Sequence, residues 1–319
     1  MLIIKRNSTN PYFNLAAEEY LVKNIEEPCF MIWQNAPSVI VGKHQNPIRE
    51  VNLSFTKKKN IPVVRRISGG GTVYHDLGNI NYSFIDLGKQ ESLVNFKKYS
   101  QPILQLLNEL EVNAQLTGKS DLTINGLKFS GNASHVYRNK VLHHGTLLYN
   151  SDLNILNESI KIQKVNIEDK AVNSNRSKVG NISDFLKQDI QLNEFKDLLI
   201  KHIKNIFPDA IEINFSVDEI LKIEKLAEEK YKKWEWNFGY SPKYTLNSII
   251  EIDNIEVHFA TEIHKGFIKS IQTTSNIPEE LTSAISAVIN QQHEESSILG
   301  VLNNSFSSLV KEMLTTILF

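Results

Sequence analysis

Leu15, Ala16, Ala17, Tyr20, Leu21 and Ile25 recur at helical spacing, and Asn14 ahead of them is a good cap, so the pattern predicts a helix opening there. Residues 29–42 read as two short strands around a turn, and residues 61–67 and 79–85 as further strands. In the last of these, Ile80, Tyr82 and Phe84 alternate with Asn79, Asn81 and Ser83, the signature of a strand buried on one face only. Phe96, Tyr99, Ile103, Leu106, Leu107 and Leu110 form a second helical stripe. Pro102 within it predicts a kink or a helix start. Residues 121–149 return to strand character, and the polar stretch 166–181 reads as a loop. Ser216 and Glu219 make a capping box ahead of a helix. Beyond residue 245 come strands near 247–252, 255–261 and 265–273, then helices near 278–292 and 296–318. The fold class is α/β (α+β), with a domain over residues 1–245 and a smaller one over 246–319.

Composition narrows the function classes. Of 319 residues, 41% are hydrophobic and 22% charged, with a formal net charge of −1. That argues against an electrostatic nucleic-acid binder while allowing a local cradle for a small anion. One cysteine, Cys29, rules out an internal disulfide and a cysteine-rich zinc site. No apolar run approaches the ~18 residues of a membrane span. The N-terminus passes from a strand-like start straight into a helical pattern, which reads as a cytoplasmic protein or a trimmed mature form.

The segment RRISGGGTVYHDLGN, residues 65–79, carries three consecutive glycines. A tri-glycine can be a plain surface turn or a bulge. The dinucleotide fingerprint and the P-loop spacing are both absent. The flanks favour an anion cradle. Arg66 and Ser68 lead into glycine amides that can form an anion-binding nest, and His75 and Asn79 add neutral donors. Arg65 reads as an exposed surface charge.

Residues 121–130, DLTINGLKFS, contain a strong two-residue hairpin signal at Asn125-Gly126. The regular register opposes Ile124 to Leu127, Thr123 to Lys128 and Asp121 to Ser130. It places Asp121, Thr123, Lys128 and Ser130 on one face. Asp121 and Lys128 are then a solvated surface pair or a lysine held over a reacting phosphate beside an aspartate that positions it or a metal. Gly131, Ala133 and Ser134 leave room for a ligand beside it. His143 and His144 point to opposite faces of a strand and cannot share one metal. His144 is the one that faces a pocket.

Taken together, NPYFNLAAEE (10–19), RRISGGGTVYHDLGN (65–79), SDLTINGLKFSGNAS (120–134), HHGTLLYNSDL (143–153), KAVNSNRSKVGNIS (170–183) and WEWNFGYSP (234–242) resemble the lipoate–protein ligase A family. The strand pair IEVHFATEIHKGFI (255–268) is similar to the family's accessory domain. The resemblance implies a biotin-ligase-like α/β catalytic domain plus a small accessory domain. It implies activation of lipoate by ATP to lipoyl-adenylate, and transfer of the lipoyl group to a lysine of a 2-oxoacid dehydrogenase lipoyl domain or of the glycine-cleavage H protein. Carried onto this chain, it implies that Arg66, Gly71, Thr72, Val73 and Tyr74 bind the adenylate. Ser68, His75 and Asn79 support them. Lys128 contacts lipoate and phosphate, Asp121 stands near it, and Ala133 and His144 line the pocket. Residues 170–181 resemble a loop that orders over the adenylate.

Adenylation is an in-line attack on the α-phosphorus, dominated by positioning and charge stabilisation. Mg²⁺ is expected with ATP, with Asp121 as its candidate carboxylate. The alternative is a lipoyl or octanoyl transferase that uses preformed acyl-adenylate or an acyl carrier. Relatives that work without ATP use a cysteine nucleophile, and Cys29 reads instead as a small buried hydrophobe. No nucleic-acid or membrane partner is expected, and the default oligomeric state is a monomer.

Overall fold

The computed structural model describes the whole chain except residues 6, 89–92, 161–165 and 176. The chain divides into two compact units. The first comprises Met1–Lys43, Asn52–Lys161 and Ser174–Lys233, and the second His44–Val51, Ile162–Asn173 and Trp234–Phe319. Among the described residues no helix is long and apolar enough to cross a membrane.

The first unit is built on an eight-stranded sheet. In spatial order its strands are Ile211–Ile213, Leu2–Lys5, Cys29–Trp33, Asn79–Leu87, Lys140–Leu148, Leu127–Tyr137, Asp121–Ile124 and Ala114–Thr117. The first three run parallel and the remaining pairs antiparallel. One face of this sheet packs against the helices Phe96–Glu109 and Leu192–Ile206 to form a continuous apolar core. The helix Phe96–Glu109 is capped by Asn95 and runs through Pro102. Pro102 therefore neither starts this helix nor ends it, and the helix gives up one backbone donor there.

The first helix is Pro11–Asn24, and its cap is Asn10, not Asn14. Asn10 accepts from the amides of Tyr12 and Phe13, and Pro11 takes the first helical position, where its missing N–H costs nothing. Asn14 is buried inside the helix and donates to Ser8 O, Gln34 O and Asn35 Oδ1.

Strand Asn79–Leu87 departs from its alternation in an informative way. Its polar residues Asn79, Asn81 and Ser83 are as buried as Ile80, Tyr82 and Phe84. A polar face hidden from water needs partners, and those partners define the site. A separate three-stranded sheet orders Val63–Arg65, Ser38–Val41 and Val73–His75, so the glycine segment joins two strands that flank a common neighbour.

In the second unit, strands Asn166–Asp169, Tyr244–Ile252, Ile255–His264 and Phe267–Thr273 form an antiparallel sheet. The start of the stretch read as a loop is thus an edge strand, paired with Tyr244–Asn247. Helices Glu279–Val288, Glu295–Leu302 and Ser308–Leu318 close its core.

Candidate functional site

The glycine segment is folded around Arg66. Its guanidinium is buried and donates to Ser68 Oγ (3.0 Å), Ile40 O (3.2 Å), Gly69 O (2.7 Å) and Gly71 O (2.7 Å). The fork that matches an anion is here spent on carbonyls of its own loop. Peptide planarity gives this a consequence. The carbonyls of Gly69 and Gly71 turn inward to Arg66, so the N–H groups of Gly70 and Thr72 on the same peptide planes turn outward. The Thr72 N–H already holds an oxygen, Ser174 Oγ at 3.0 Å. Arg66 therefore braces a pair of outward amides, the elements of an anion nest. Burial pulls its guanidinium down to about 10, against the pull of Glu18, which leaves it charged at neutral pH.

The glycines are needed for different reasons. Gly70 has φ +86°, and a Cβ there would lie 3.0 Å from Arg66 Nη2. Gly71 is approached by Ser174, whose Oγ and Cα would stand 3.1 and 3.3 Å from an added Cβ. Gly69 meets nothing within 4 Å.

Arg65 is not a surface charge. It is fully buried, and its Nη1 donates to Gly42 O and Lys43 O at 3.0 Å each. The carbonyls of a neighbouring turn substitute for water.

Lys128 reaches the same side of the molecule through a β-bulge. In a regular strand Lys128 and Gly131 would face opposite ways. Here Thr123 lies opposite Lys128, but Leu122 lies opposite Ser130 and Asp121 opposite Gly131. One extra residue in Leu127–Tyr137 inverts the alternation. Asp121 therefore does not oppose Ser130, and Ser130 is not on the lysine's face. It is buried and accepts from Asn132 Nδ2. Lys128 instead lies over Gly131, where an added Cβ would be 3.3 Å from its Cε and 3.4 Å from its Nζ. Its ammonium pairs with Asp121 Oδ1 at 3.0 Å, both side chains keeping partial access to solvent. The glycine segment comes down on this face too, since a Cβ on Gly70 would be 3.6 Å from Ala133 Cβ.

Ser174, Lys178 and Gly180 contact both parts. Ser174 holds Thr72 N, Lys178 O accepts from Lys128 N at 2.8 Å, and Gly180 N donates to Lys128 O at 3.1 Å. Arg176, in the loop read from sequence, lies outside the described residues.

His143 and His144 face opposite sides as their adjacency requires. His144 stands in one row with Ala133 and Ser83 across three strands, bonded to Ser68 Oγ at 2.6 Å and Glu18 Oε1 at 2.8 Å. His75 is buried and neutral, pushed down to about 3 by burial and then by the neighbouring charge of Arg66. Asn35 fixes its tautomer. Asn35 Oδ1 accepts from Asn14, so its Nδ2 donates to His75 Nδ1 at 3.0 Å. The proton must sit on Nε2, which is buried without a partner. Asn79 Nδ2 donates to Asn81 Oδ1 at 2.9 Å, leaving Asn79 Oδ1 and Asn81 Nδ2 unsatisfied. Val73 and Tyr74 pair in register with Ile40 and Val39, and Tyr74 is core.

Glu18 is the residue that the sequence pattern missed. In a helix reading LAAEEYL a glutamate looks solvated, yet Glu18 is 1% exposed. A carboxylate inside an apolar helical run was the available signal. Cys29 is fully buried in Cys29–Trp33, and burial pushes its thiol up to about 12. It is no nucleophile. Among the described residues no group of three His, Cys, Asp or Glu side chains could hold a metal ion.

The braced amides, Lys128 with Asp121 and the buried polar sheet face belong to one α/β unit, whose fold and motifs mark it as a catalytic-domain candidate. Residues 10–204 match the lipoyl protein ligase A/B catalytic domain, and the chain belongs to that family. Over 325 aligned residues it is 36% identical to the Bacillus subtilis lipoate–protein ligase LplJ, covering 98% of each chain. It is similar in structure to P. falciparum LipL1 in complex with lipoate, with TM-score 0.66, 25% identity and 99% of each chain covered. A lipoate–protein ligase A bound with ATP matches with TM-score 0.63 and 26% identity, over 75% of this chain and 98% of its own.

Proposed function

We infer that this site joins lipoate to protein in two steps. The chain is an ATP-dependent lipoate–protein ligase. In the first step a carboxylate oxygen of lipoate attacks the α-phosphorus of ATP. The bond to the bridging oxygen breaks, and pyrophosphate leaves with that electron pair. In the second, the amine of an acceptor lysine attacks the acyl carbonyl, an amide forms and AMP leaves.

The observation that carries the reading is the bulge that brings Lys128 onto the face covered by the glycine segment. An ammonium there neutralises the α-phosphate and then holds the acyl carbonyl, and Asp121 fixes it between turnovers. The outward amides of Gly70 and Thr72 receive phosphate oxygens, with Ser174 releasing Thr72 when they do. Arg66 keeps those amides aimed. His75 Nε2–H and the free ends of Asn79 and Asn81 are buried polar atoms awaiting a partner, suited to the polar atoms of a ligand. Mg²⁺ enters with the triphosphate as part of the substrate. Among the described residues Asp121 is the one carboxylate paired with Lys128, in keeping with a metal held mostly by phosphates and water. The first unit does the chemistry, and residues 246–319 act as an accessory domain. The acceptors are lipoyl domains of 2-oxoacid dehydrogenases and the glycine-cleavage H protein, met in the cytoplasm.

The test is lipoate-dependent release of pyrophosphate from ATP, wild type against Lys128→Ala. Turnover that collapses in the variant supports the reading. A folded wild type that releases none, yet lipoylates an acceptor when given lipoyl-adenylate, makes the protein a transferase.

A further inference from the structure

Two donor-only groups begin a converging chain of hydrogen bonds in the first unit. The guanidinium of Arg66 can only donate, and its Nε gives a proton to Ser68 Oγ at 3.0 Å. Ser68 then directs its single hydroxyl proton to His144 Nε2 at 2.6 Å, its 3.5 Å reach to Gly69 O being the weaker choice. With Nε2 accepting, a neutral His144 carries its proton on Nδ1, which donates to Glu18 Oε1 at 2.8 Å. From the other side the Trp33 indole, also donor-only, gives to Ser83 Oγ at 2.9 Å, and Ser83 gives to the same Glu18 oxygen at 2.6 Å. Every proton in the chain points toward one carboxylate.

The contacts resemble a Ser-His-Glu triad, but Ser68 is fully buried and already accepts from Arg66, so it is no nucleophile. The neighbouring acid shows the contrast. Glu19 is held by Lys23, Lys230 and the Tyr231 hydroxyl at 2.6 Å each, a purely structural clamp. Among the described residues Glu18 makes no lysine or arginine ion pair, and its Oε2 has no partner at all. Its Oε1 alone carries the relay, accepting from both Ser83 and His144.

We propose that Glu18 is a positioning residue: as the acceptor on which the relay converges, it sets the orientation of Arg66 and through it the aim of the glycine-segment amides. The activity readout rests on the ligase reading, whereas the spectroscopic one does not.

The decisive variants are Glu18→Leu, which removes the acceptor while keeping the helix and its bulk, and Glu18→Gln, which keeps an oxygen that can accept from both Ser83 and His144. In the wild type, ring-nitrogen NMR should show His144 protonated at Nδ1 and unprotonated at Nε2. Glu18→Gln should keep that tautomer and hold kcat/KM for pyrophosphate release within about threefold, while Glu18→Leu should lose at least about tenfold. A wild-type His144 proton on Nε2 overturns the proposal even if the leucine variant does not fold. So does a folded Glu18→Leu with wild-type kcat/KM, or a glutamine variant as impaired as the leucine one. A wild type that releases no pyrophosphate defeats the ligase reading and leaves the tautomer result to decide this one.

Discussion

His143 and His144 sit side by side on one strand and lead opposite lives. His143 enters the aromatic core, stacked on Tyr99 with centroids 5.0 Å apart and edge-on to Phe96 at 5.4 Å. Its Nδ1 has a 3.2 Å contact with Ser134 Oγ, and its Nε2 has no partner. Burial holds its pKa down to about 3. His144, one residue on, has both nitrogens engaged, by Ser68 and Glu18. The two faces of the sheet thus differ in kind. One is satisfied by packing, with a polar atom tolerated. The other is satisfied by directed hydrogen bonds and ends in unsatisfied atoms of His75, Asn79 and Asn81. The proposed function belongs to the face where polar capacity is arranged.

The comparison breaks most sharply at Lys128, which belongs to the second face only because of the bulge. Lys128→Ala should lower lipoate-dependent pyrophosphate release roughly 100- to 1,000-fold. As a partly exposed side chain on one hairpin, it should move stability by no more than about 0.5 kcal/mol. Steady-state kinetics together with a denaturant titration of the same preparation check both halves.

The histidines themselves give the next test. His143→Ala leaves a hole among Tyr82, Phe96 and Tyr99 and should cost about 2–4 kcal/mol of stability, with the folded fraction keeping its kcat. His144→Ala should do the reverse, losing at least about tenfold in kcat/KM for a smaller stability change. Equal stability losses with equal activity losses would erase the distinction between the faces.

These contrasts were only partly legible in the sequence. The strands, the hairpin at Asn125-Gly126 and the opposition of the two histidines follow from local periodicity, and they stand. The bulge did not show, because one extra residue leaves the apolar alternation of Leu127 and Phe129 looking regular. Asn79, Asn81 and Ser83 read as a solvent face because period alone reports polarity, and only tertiary cover decides whether polar means wet. Arg65 and Glu18 were obscured for the same reason. Each is a charge buried by partners distant in sequence, Gly42 and Lys43 for one and His144 and Ser83 for the other. Asn10 lost to Asn14 as the expected cap because the apolar stripe begins late, while Pro11 marks the true start.

Acid should reveal the core histidine as well. A histidine whose folded pKa lies below its unfolded value of about 6.5 stabilises fully above that pH and loses its contribution as pH falls toward the folded value. For His143, pushed down to about 3, the loss between pH 7 and pH 5 is about 2 kcal/mol. His143→Phe keeps an aromatic ring in that place without a titrating group. Its stability, measured by urea unfolding, should therefore fall less than the wild type's over the same interval, by about that amount. An unchanged pH dependence would mean that His143 takes up its proton without unfolding, and the core face would be wetter than its packing indicates.

The smallest effects grade the glycine segment residue by residue. Gly70→Ala forces a Cβ onto a backbone at φ +86° and against Arg66 Nη2, so it should disturb the brace and cost about 1–2 kcal/mol of stability. Gly71→Ala presses on Ser174 at 3.1 Å. It should displace the segment that closes over Thr72, raising KM for ATP a few-fold while stability shifts by less than about 1 kcal/mol. Gly69→Ala meets nothing within 4 Å and its φ lies outside the left-handed region, so stability should stay within about 0.5 kcal/mol of wild type. Any defect at Gly69 must then arise in the ligand-bound state, and calorimetry with ATP separates the cases. A Gly69→Ala protein that folds like wild type but binds ATP more weakly would locate the nucleotide against the one glycine of these three that no described residue approaches. Unchanged binding would leave close approach to the backbone as the business of Gly70 and Gly71 alone.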